Sequence, residues 1–152
     1  MPQNRIQIRV PFVDTDPSGR IHFTAMLRYM DIAEHEFVRA LGFPHATAFP
    51  DIEFPRVHVS CDYHRAICYD DELTLEIRVA HVGRSSWSAA VTAYFTRELQ
   101  ELGPLASKSA AAGQLTIVAI DKKTERPTPL PDELRAALVA EPIEISGQNS
   151  HS

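Results

Sequence analysis

The sequence has little cysteine. Cys61 and Cys68 are the only two in 152 residues, too few for a disulfide scaffold. No CxxC pair and no Cys/His cluster points to zinc. Two packed thiols suit a reducing cytoplasm, the location expected for this chain. Basic residues are in the minority as well. The 15 Lys and Arg face 20 Asp and Glu, for a net charge of −5. That argues against a general nucleic-acid binder. An acidic chain binds an anion only by concentrating its basic residues locally. No apolar run approaches the ~20 residues of a membrane span, and the opening MPQNRIQIRV lacks the apolar core of a signal peptide. There is no internal repeat and no linker that splits the chain.

What is present is globular. Hydrophobic residues make up 44% and charged residues 23%, which fits neither a disordered chain nor a fibre. The length is that of one domain. We read residues 1–145 as a single domain and 146–152 as a polar tail. Residues 5–12 alternate, with Ile6, Ile8, Val10 and Phe12 on one side and Arg5, Gln7 and Arg9 on the other. That is a half-buried strand. From Thr24 to Leu41 the apolar positions Met26, Met30, Ala33, Phe37 and Leu41 recur every three or four residues. This predicts one long helix, with Thr24 as N-cap and Gly42 and Pro44 as its stop.

After a Pro-rich loop, Pro44 to Pro55, the period becomes two. Val57, Val59, Cys61 and Tyr63 share one strand face, and His58, Ser60, Asp62 and His64 the other, a polar face. Leu73, Leu75, Ile77 and Val79 mark the next strand. Trp87, Ala89, Val91, Ala93 and Phe95 mark a third. Residues 108–121 read as a fourth, with Leu115 and Ile117 on one face and Val118 and Ile120 on the other. Gly83 and the Glu101–Pro104 stretch are the expected hairpin turns. Residues 132–140 predict a short helix with Asp132 near its N-cap. The order is strand, long helix, then four strands in a meander, which is an α+β class with an antiparallel sheet.

The most unusual segment is Asp14-Thr15-Asp16-Pro17-Ser18-Gly19. It admits three readings. One is a turn whose carboxylates satisfy backbone N–H groups. The second is an Asp-x-Asp site for a hard cation, without further ligands at EF-hand spacing. The third is a catalytic carboxylate at a helix N-terminus. There the dipole favours its charge, and free N–H groups can bind a developing oxyanion.

The run PFVDTDPSGRIHFTAMLRYMDIAEHEFVRALGF resembles the opening of the 4-hydroxybenzoyl-CoA thioesterase family of hotdog-fold enzymes. Tyr69-Asp70-Asp71-Glu72-Leu73-Thr74 is similar to the family's entry into its third strand. Gly83-Arg84-Ser85-Ser86 is similar to its next hairpin, and Arg126-Pro127 to Pro131 to the lead into its last helix. The resemblance covers roughly residues 5–135. It implies a hotdog fold, in which a five-stranded antiparallel sheet wraps the long central helix. It also implies acyl-CoA thioesterase activity, and a homodimer or homotetramer with each active site at a subunit interface. No metal or redox cofactor is implied; coenzyme A enters as part of the substrate.

The resemblance carries roles onto individual residues. Asp16 stands where these enzymes hold their catalytic carboxylate, as nucleophile or as general base. Gly19 keeps the turn compact. Phe23 matches the residue whose backbone N–H binds the thioester oxygen. Asp31 falls near the acyl pocket, or else is a solvated helix position; Met26 and Met30 are expected to shape that pocket with it. Arg84 and Arg126 match positions that contact the phosphates of coenzyme A, for which guanidinium is well suited. There are departures. His22 replaces a usually aromatic residue and is a substrate-binding candidate, and Ser85 stands where further basic residues are common. GxSxG is absent, so the α/β-hydrolase route to thioester cleavage is excluded. Two rival readings remain: an acyl-carrier-protein thioesterase on the same fold, and a non-catalytic acyl-CoA-binding module.

Overall fold

A computed structural model describes residues 1–141. The predicted tail at 146–152, and the end of the 1–145 span, lie outside the described residues. The elements run β1 (Gln3–Arg9), α1 (Ala25–Ala40), β2 (Ile52–Glu53), β3 (Arg56–Tyr63), β4 (Glu72–Val82), β5 (Ser86–Phe95), α2 (Thr96–Leu102), β6 (Ala111–Val118), β7 (Ile120–Asp121) and α3 (Asp132–Val139). Five strands form one antiparallel sheet in the order β1-β4-β5-β6-β3. The α+β architecture, a five-stranded antiparallel sheet around one long helix, is the expected one.

Alternation in β1 ends at the buried Val10, not at Phe12. Pro11 has no N–H to give to a ladder, and Phe12–Asp14 turn into a short 3-10 segment that leaves the Phe12 ring 75% exposed. The long helix ends as Gly42 predicts. Gly42 adopts φ +99. The Phe43 N–H donates to the Val38 carbonyl (2.8 Å) and the Gly42 N–H to the Arg39 carbonyl (3.0 Å), which satisfies the last helical acceptors.

Four expectations need correction. β3 does not neighbour β4. It crosses to the far edge of the sheet and pairs with β6, so only β4, β5 and β6 form a meander. Alternation identifies a strand but not its neighbour. The Glu101–Pro104 stretch is not a hairpin turn. It closes α2, which ends at Gly103 with φ +75 and buries Thr96 and Leu99. The strand read at 108–121 breaks at the buried Ala119, and its end, β7, pairs with β2 from the Pro-rich loop. In α3 the cap position is Pro131, with Asp132 and Glu133 in the first turn, where their charge suits the dipole.

The apolar stripe of α1 lies on the sheet. Met26, Met30, Ala33 and Phe37 are at most 1% exposed, and they share one core with Leu73, Leu75, Ile77, Trp87, Val91 and Ile117. Each large side chain buried there contributes about 1.5–3 kcal/mol. Close approach has a price in residue choice at Gly113. A Cβ there would stand 2.2 Å from the Ser60 carbonyl oxygen and 2.7 Å from Met30 Cε, so the helix seats on β6 only over a glycine. The edge strand β3 differs from its neighbours. Val57, Val59 and Tyr63 remain 61%, 44% and 45% exposed. Among the described residues no helix is long and apolar enough to cross a membrane.

Candidate active site

The Asp-Thr-Asp turn gives its two carboxylates different jobs. Asp14 is buried. Its Oδ2 accepts the Tyr29 hydroxyl (2.7 Å), and its Oδ1 accepts the Arg28 guanidinium from the first turns of α1. Burial opposes its charge, but the bonds from Tyr29 and Arg28 outweigh it and hold the carboxyl below its usual range. Both oxygens are therefore committed, and the cation reading of Asp-x-Asp loses its second carboxylate.

Asp16 is half-buried at the same turn. Its N–H donates to the Arg20 carbonyl (3.0 Å), and its carbonyl accepts the Gly19 N–H (2.9 Å). Gly19 closes that loop at φ +82, a conformation that costs other residues more. Asp16 Oδ1 accepts the Ser18 hydroxyl (2.5 Å) and the Ser18 N–H (2.8 Å). These two bonds, the hydroxyl first, pull the Asp16 carboxyl below its usual range, with smaller help from the charges of His22 and Arg20. Asp16 Oδ2 has no partner among the described residues, so an ionised oxygen is held in place and left free.

The segment after Gly19 is pinned from both sides. The Ile21 N–H donates to the Ile67 carbonyl (2.9 Å) and the His22 N–H to the Asp14 carbonyl (2.7 Å). The Phe23 carbonyl accepts the Tyr63 hydroxyl from the end of β3. Burial and the neighbouring Cys61 push the Tyr63 phenol up to about 12, so it stays a donor. Among the described residues no acceptor faces the Phe23 N–H, which sits just before α1. The Phe23 ring is 66% exposed; its main chain carries the hydrogen bonds.

Thr24 does not cap α1 with its side chain. Its hydroxyl lies 2.7 Å from His22 Nδ1, and its N–H donates to the same nitrogen (3.3 Å). The imidazole thus takes the N–H of the N-cap residue itself, the group that a Glu or Gln at N3 takes in a capping box. The His22 ring also stacks on Phe23, with centroids 4.6 Å apart.

Not every predicted residue joins this site. Asp31 lies two turns along α1, where Arg56 Nη2 stands 3.0 Å from its Oδ1. Met26 and Met30 are sealed in the core. Arg84 and Arg126 are exposed and meet each other's neighbourhood at the opposite end of the sheet. The Leu130 N–H and Arg135 Nη2 bond the Arg84 carbonyl (3.0 and 2.6 Å), and the Asp121 N–H bonds the Arg126 carbonyl (2.9 Å). Their guanidiniums make no ion pair among the described residues. A ten-residue β5 separates the Gly83 hairpin from the Asp16 end, a distance of roughly 30 Å at the usual strand rise.

Three features were not legible beforehand: the Asp14–Tyr29–Arg28 clamp, the Tyr63 bond, and a charged network on α1. In the last, the fully buried Glu34 meets Arg56 Nη2 and His45 Nε2 (2.8 Å), with His35 Nε2 at 3.9 Å. Glu34, His35 and His45 have the atoms to ligate a metal. Arg56 already supplies the positive charge that Glu34 and Asp31 need. A cleft of about 230 Å³ borders the turn, lined by Arg20, Ile21, Tyr63, His64, Arg65, Ala66 and Ile67.

Residues 18–96 match the family described as the thioesterase superfamily. The chain belongs to the thioesterase superfamily. The matched span includes Gly19, His22, Phe23, Asp31 and Arg84, and begins just after Asp16. A 1,4-dihydroxy-2-naphthoyl-CoA hydrolase of Synechococcus sp. (strain WH7803) is 30% identical over 141 residues, covering 87% of this chain and 86% of that protein. An acyl-CoA thioesterase of Haemophilus influenzae is 26% identical over 132 residues, covering 86% and 90%. A solved 4-hydroxybenzoyl-CoA thioesterase, an Asp-to-Asn mutant complexed with 4-hydroxybenzoyl-CoA, superposes with a TM-score of 0.76 at 20% identity, over 90% of this chain and 98% of that one. As a member of the thioesterase superfamily with the hotdog fold, the chain is a thioester hydrolase.

Proposed function

We propose that this thioesterase-superfamily enzyme hydrolyses an acyl- or aroyl-CoA thioester to the free acid and coenzyme A. One observation carries the reading. The free Oδ2 of an ionised Asp16 and the unpaired N–H of Phe23 belong to one pinned segment at the start of α1. The N–H donates to the thioester oxygen as negative charge develops there. The Asp16 carboxylate attacks the carbonyl carbon, or takes a proton from a water that does. In either case the C–S bond breaks and the thiolate leaves; on the nucleophilic route this forms a mixed anhydride with Asp16, which water then cleaves to release the acid and restore the carboxylate. Gly19 holds the loop in shape, and His22 lines the substrate's approach beside Phe23.

Arg84 and Arg126 are assigned to the phosphates of coenzyme A. They stand a sheet's length from Asp16 of the same chain, which favours a substrate shared between two copies. The exposed apolar side chains of the edge strand β3 support such pairing, as a homodimer or homotetramer. Asp31 is kept as a substrate-side residue through its place on α1, with Arg56 as its present partner. The free thiols of Cys61 and Cys68 support a cytoplasmic location. Relatives named for 1,4-dihydroxy-2-naphthoyl-CoA and 4-hydroxybenzoyl-CoA support an aroyl member of the substrate class.

The test is thiol release over a panel of acyl- and aroyl-CoA esters, with Asp16→Asn beside the unaltered enzyme. Turnover of at least one ester by the unaltered enzyme, with nearly all of it gone in Asp16→Asn and coenzyme A binding retained, is the expected result. Equal turnover by the variant overturns the role of Asp16. Binding of coenzyme A esters with no turnover of any overturns the enzyme reading.

A further inference from the structure

The cleft lies beside the segment that carries the two reactive groups, with Arg20 and Ile21 of that segment in its lining. One wall is Arg20, whose carbonyl holds the Asp16 N–H at 3.0 Å. The opposite wall is Tyr63, whose hydroxyl holds the Phe23 carbonyl. Each of these two lining residues is thus one hydrogen bond from a residue that carries a reactive group. The floor is apolar, from Ile21, Ala66 and Ile67. The volume of about 230 Å³ suits a short chain or one ring rather than a long fatty chain.

The polar groups of the cleft are mostly donors. Arg65 is occupied, since its Nη1 binds both oxygens of Glu98 at 2.9 Å and its guanidinium lies over the Phe95 ring. His64 Nδ1 is held by Ser109 Oγ at 2.7 Å, which leaves Nε2 uncommitted. Arg20 makes no side-chain hydrogen bond or ion pair among the described residues. Its charge reaches Asp16 without pairing with it. An exposed arginine that lines a cleft beside a carboxylate and still leaves that carboxylate free is available to a second anion. In a chain with a net charge of −5, local cation and apolar floor together select for a particular ligand.

We propose that this cleft is the acyl pocket, and that it takes a short acyl or single-ring aroyl group bearing its own carboxylate. Arg20 binds that carboxylate with two parallel hydrogen bonds, and His64 Nε2 is the second contact. This inference rests on the thioesterase reading of Asp16 and names its substrate class.

The experiment compares two coenzyme A esters of equal chain length, succinyl-CoA and butyryl-CoA, on the unaltered enzyme and on Arg20→Ala and Arg20→Lys. The unaltered enzyme is expected to favour succinyl-CoA. Arg20→Ala lowers kcat/KM for succinyl-CoA relative to butyryl-CoA by about tenfold or more, the size of a lost charge-assisted pair, so that the preference for succinyl-CoA collapses. Arg20→Lys recovers part of the loss. A second readout is calorimetric binding of succinyl-CoA, against butyryl-CoA, to Asp16→Asn and to the double variant with Arg20→Ala, where succinyl-CoA alone should lose affinity. Equal losses on both esters place Arg20 on the coenzyme A portion and overturn the proposal. A loss confined to a 4-hydroxybenzoyl-CoA and benzoyl-CoA pair overturns it too, in favour of a hydroxyl contact. Loss of all turnover in Asp16→Asn with no ester discrimination through Arg20 keeps the thioesterase reading and removes this one.

Discussion

The two ends of the sheet are built on opposite plans. At the Asp16 end nearly every polar group is spoken for. Ser18 holds one carboxylate oxygen, Asp14 is clamped by Tyr29 and Arg28, Tyr63 holds the Phe23 carbonyl, and Thr24 holds the His22 ring. What the turn itself leaves over is one carboxylate oxygen and one N–H, with the Arg20 guanidinium and His64 Nε2 free in the cleft beside it. At the Arg84 end the main chain is fixed by Arg135 and Leu130, but the guanidiniums of Arg84 and Arg126 reach into solvent. A group that must act on a bond needs its geometry set before the substrate arrives. A group that only holds phosphate can be ordered by the phosphate itself. The contrast predicts that damage at the first end appears in kcat and damage at the second in KM.

The largest effect tests the first half of that contrast. Asp16→Asn removes the charge but keeps the Ser18 bonds, because an amide oxygen still accepts them. Turnover should fall roughly 10³-fold, while KM and thermal stability stay near those of the unaltered enzyme. A comparable rise in KM would show that the two ends are not specialised. At the other end, Arg84→Ala and Arg126→Ala should each raise KM for coenzyme A esters about tenfold, in line with one charge-assisted contact. Their kcat should hold, and thioesters of a simple thiol without the nucleotide should be unaffected. An equal loss on those simple esters would move the arginines out of the phosphate site.

The same contrast explains what was legible in the sequence. The Asp14–Gly19 turn stood out by its composition, and the family resemblance alone set Asp16 and Gly19 apart within it. Arg84 and Arg126 could be matched as residues, but their distance from Asp16 depends on strand order, which period-two alternation does not encode. The crossover of β3 to the far edge was hidden for that reason, and with it the contact of Tyr63 with Phe23. The seven residues of α2 carry Leu99 and Leu102 as their only apolar pair, too weak a stripe to outweigh the hairpin expected there. Met26 and Met30 followed the helical stripe correctly into the core, and that burial is what disqualifies them as pocket residues. Asp14 and Asp16 look alike in one turn. Only the fold brings Tyr29 and Arg28 to the first and leaves one oxygen of the second free.

That difference between neighbours gives a stability prediction. Asp14→Asn should cost about 2 kcal/mol, since a buried site loses the ionised partner of Arg28 and Tyr29. The folded state depresses the Asp14 pKa. The stability it contributes is therefore present above the unfolded-state pKa, and is lost as pH falls through the lower folded value. Urea unfolding at neutral and at acidic pH should show the gap between Asp14→Asn and the unaltered chain narrowing in acid. A gap that does not change with pH would mean that shape, not charge, is what Asp14 supplies.

The smallest effect is the most specific. Ser18 donates twice to Asp16 Oδ1, and its hydroxyl is the larger cause of the lowered Asp16 pKa. With that pKa depressed, Asp16 is ionised to lower pH than an ordinary carboxylate, and the acid limb of kcat/KM should lie below the usual carboxylate range. Ser18→Ala removes the hydroxyl donor and keeps the N–H. The charged form loses stabilisation, so the pKa rises and the acid limb should move to higher pH, while the rate on the neutral plateau changes little. Ser18→Thr keeps a hydroxyl and should leave the limb near its place. The same substitutions cannot touch Arg84 or Arg126 at the far end, so a pH shift with KM unchanged isolates the reactive end from the binding end. A Ser18→Ala profile that superposes on the original would show that the loop backbone alone sets the charge of Asp16.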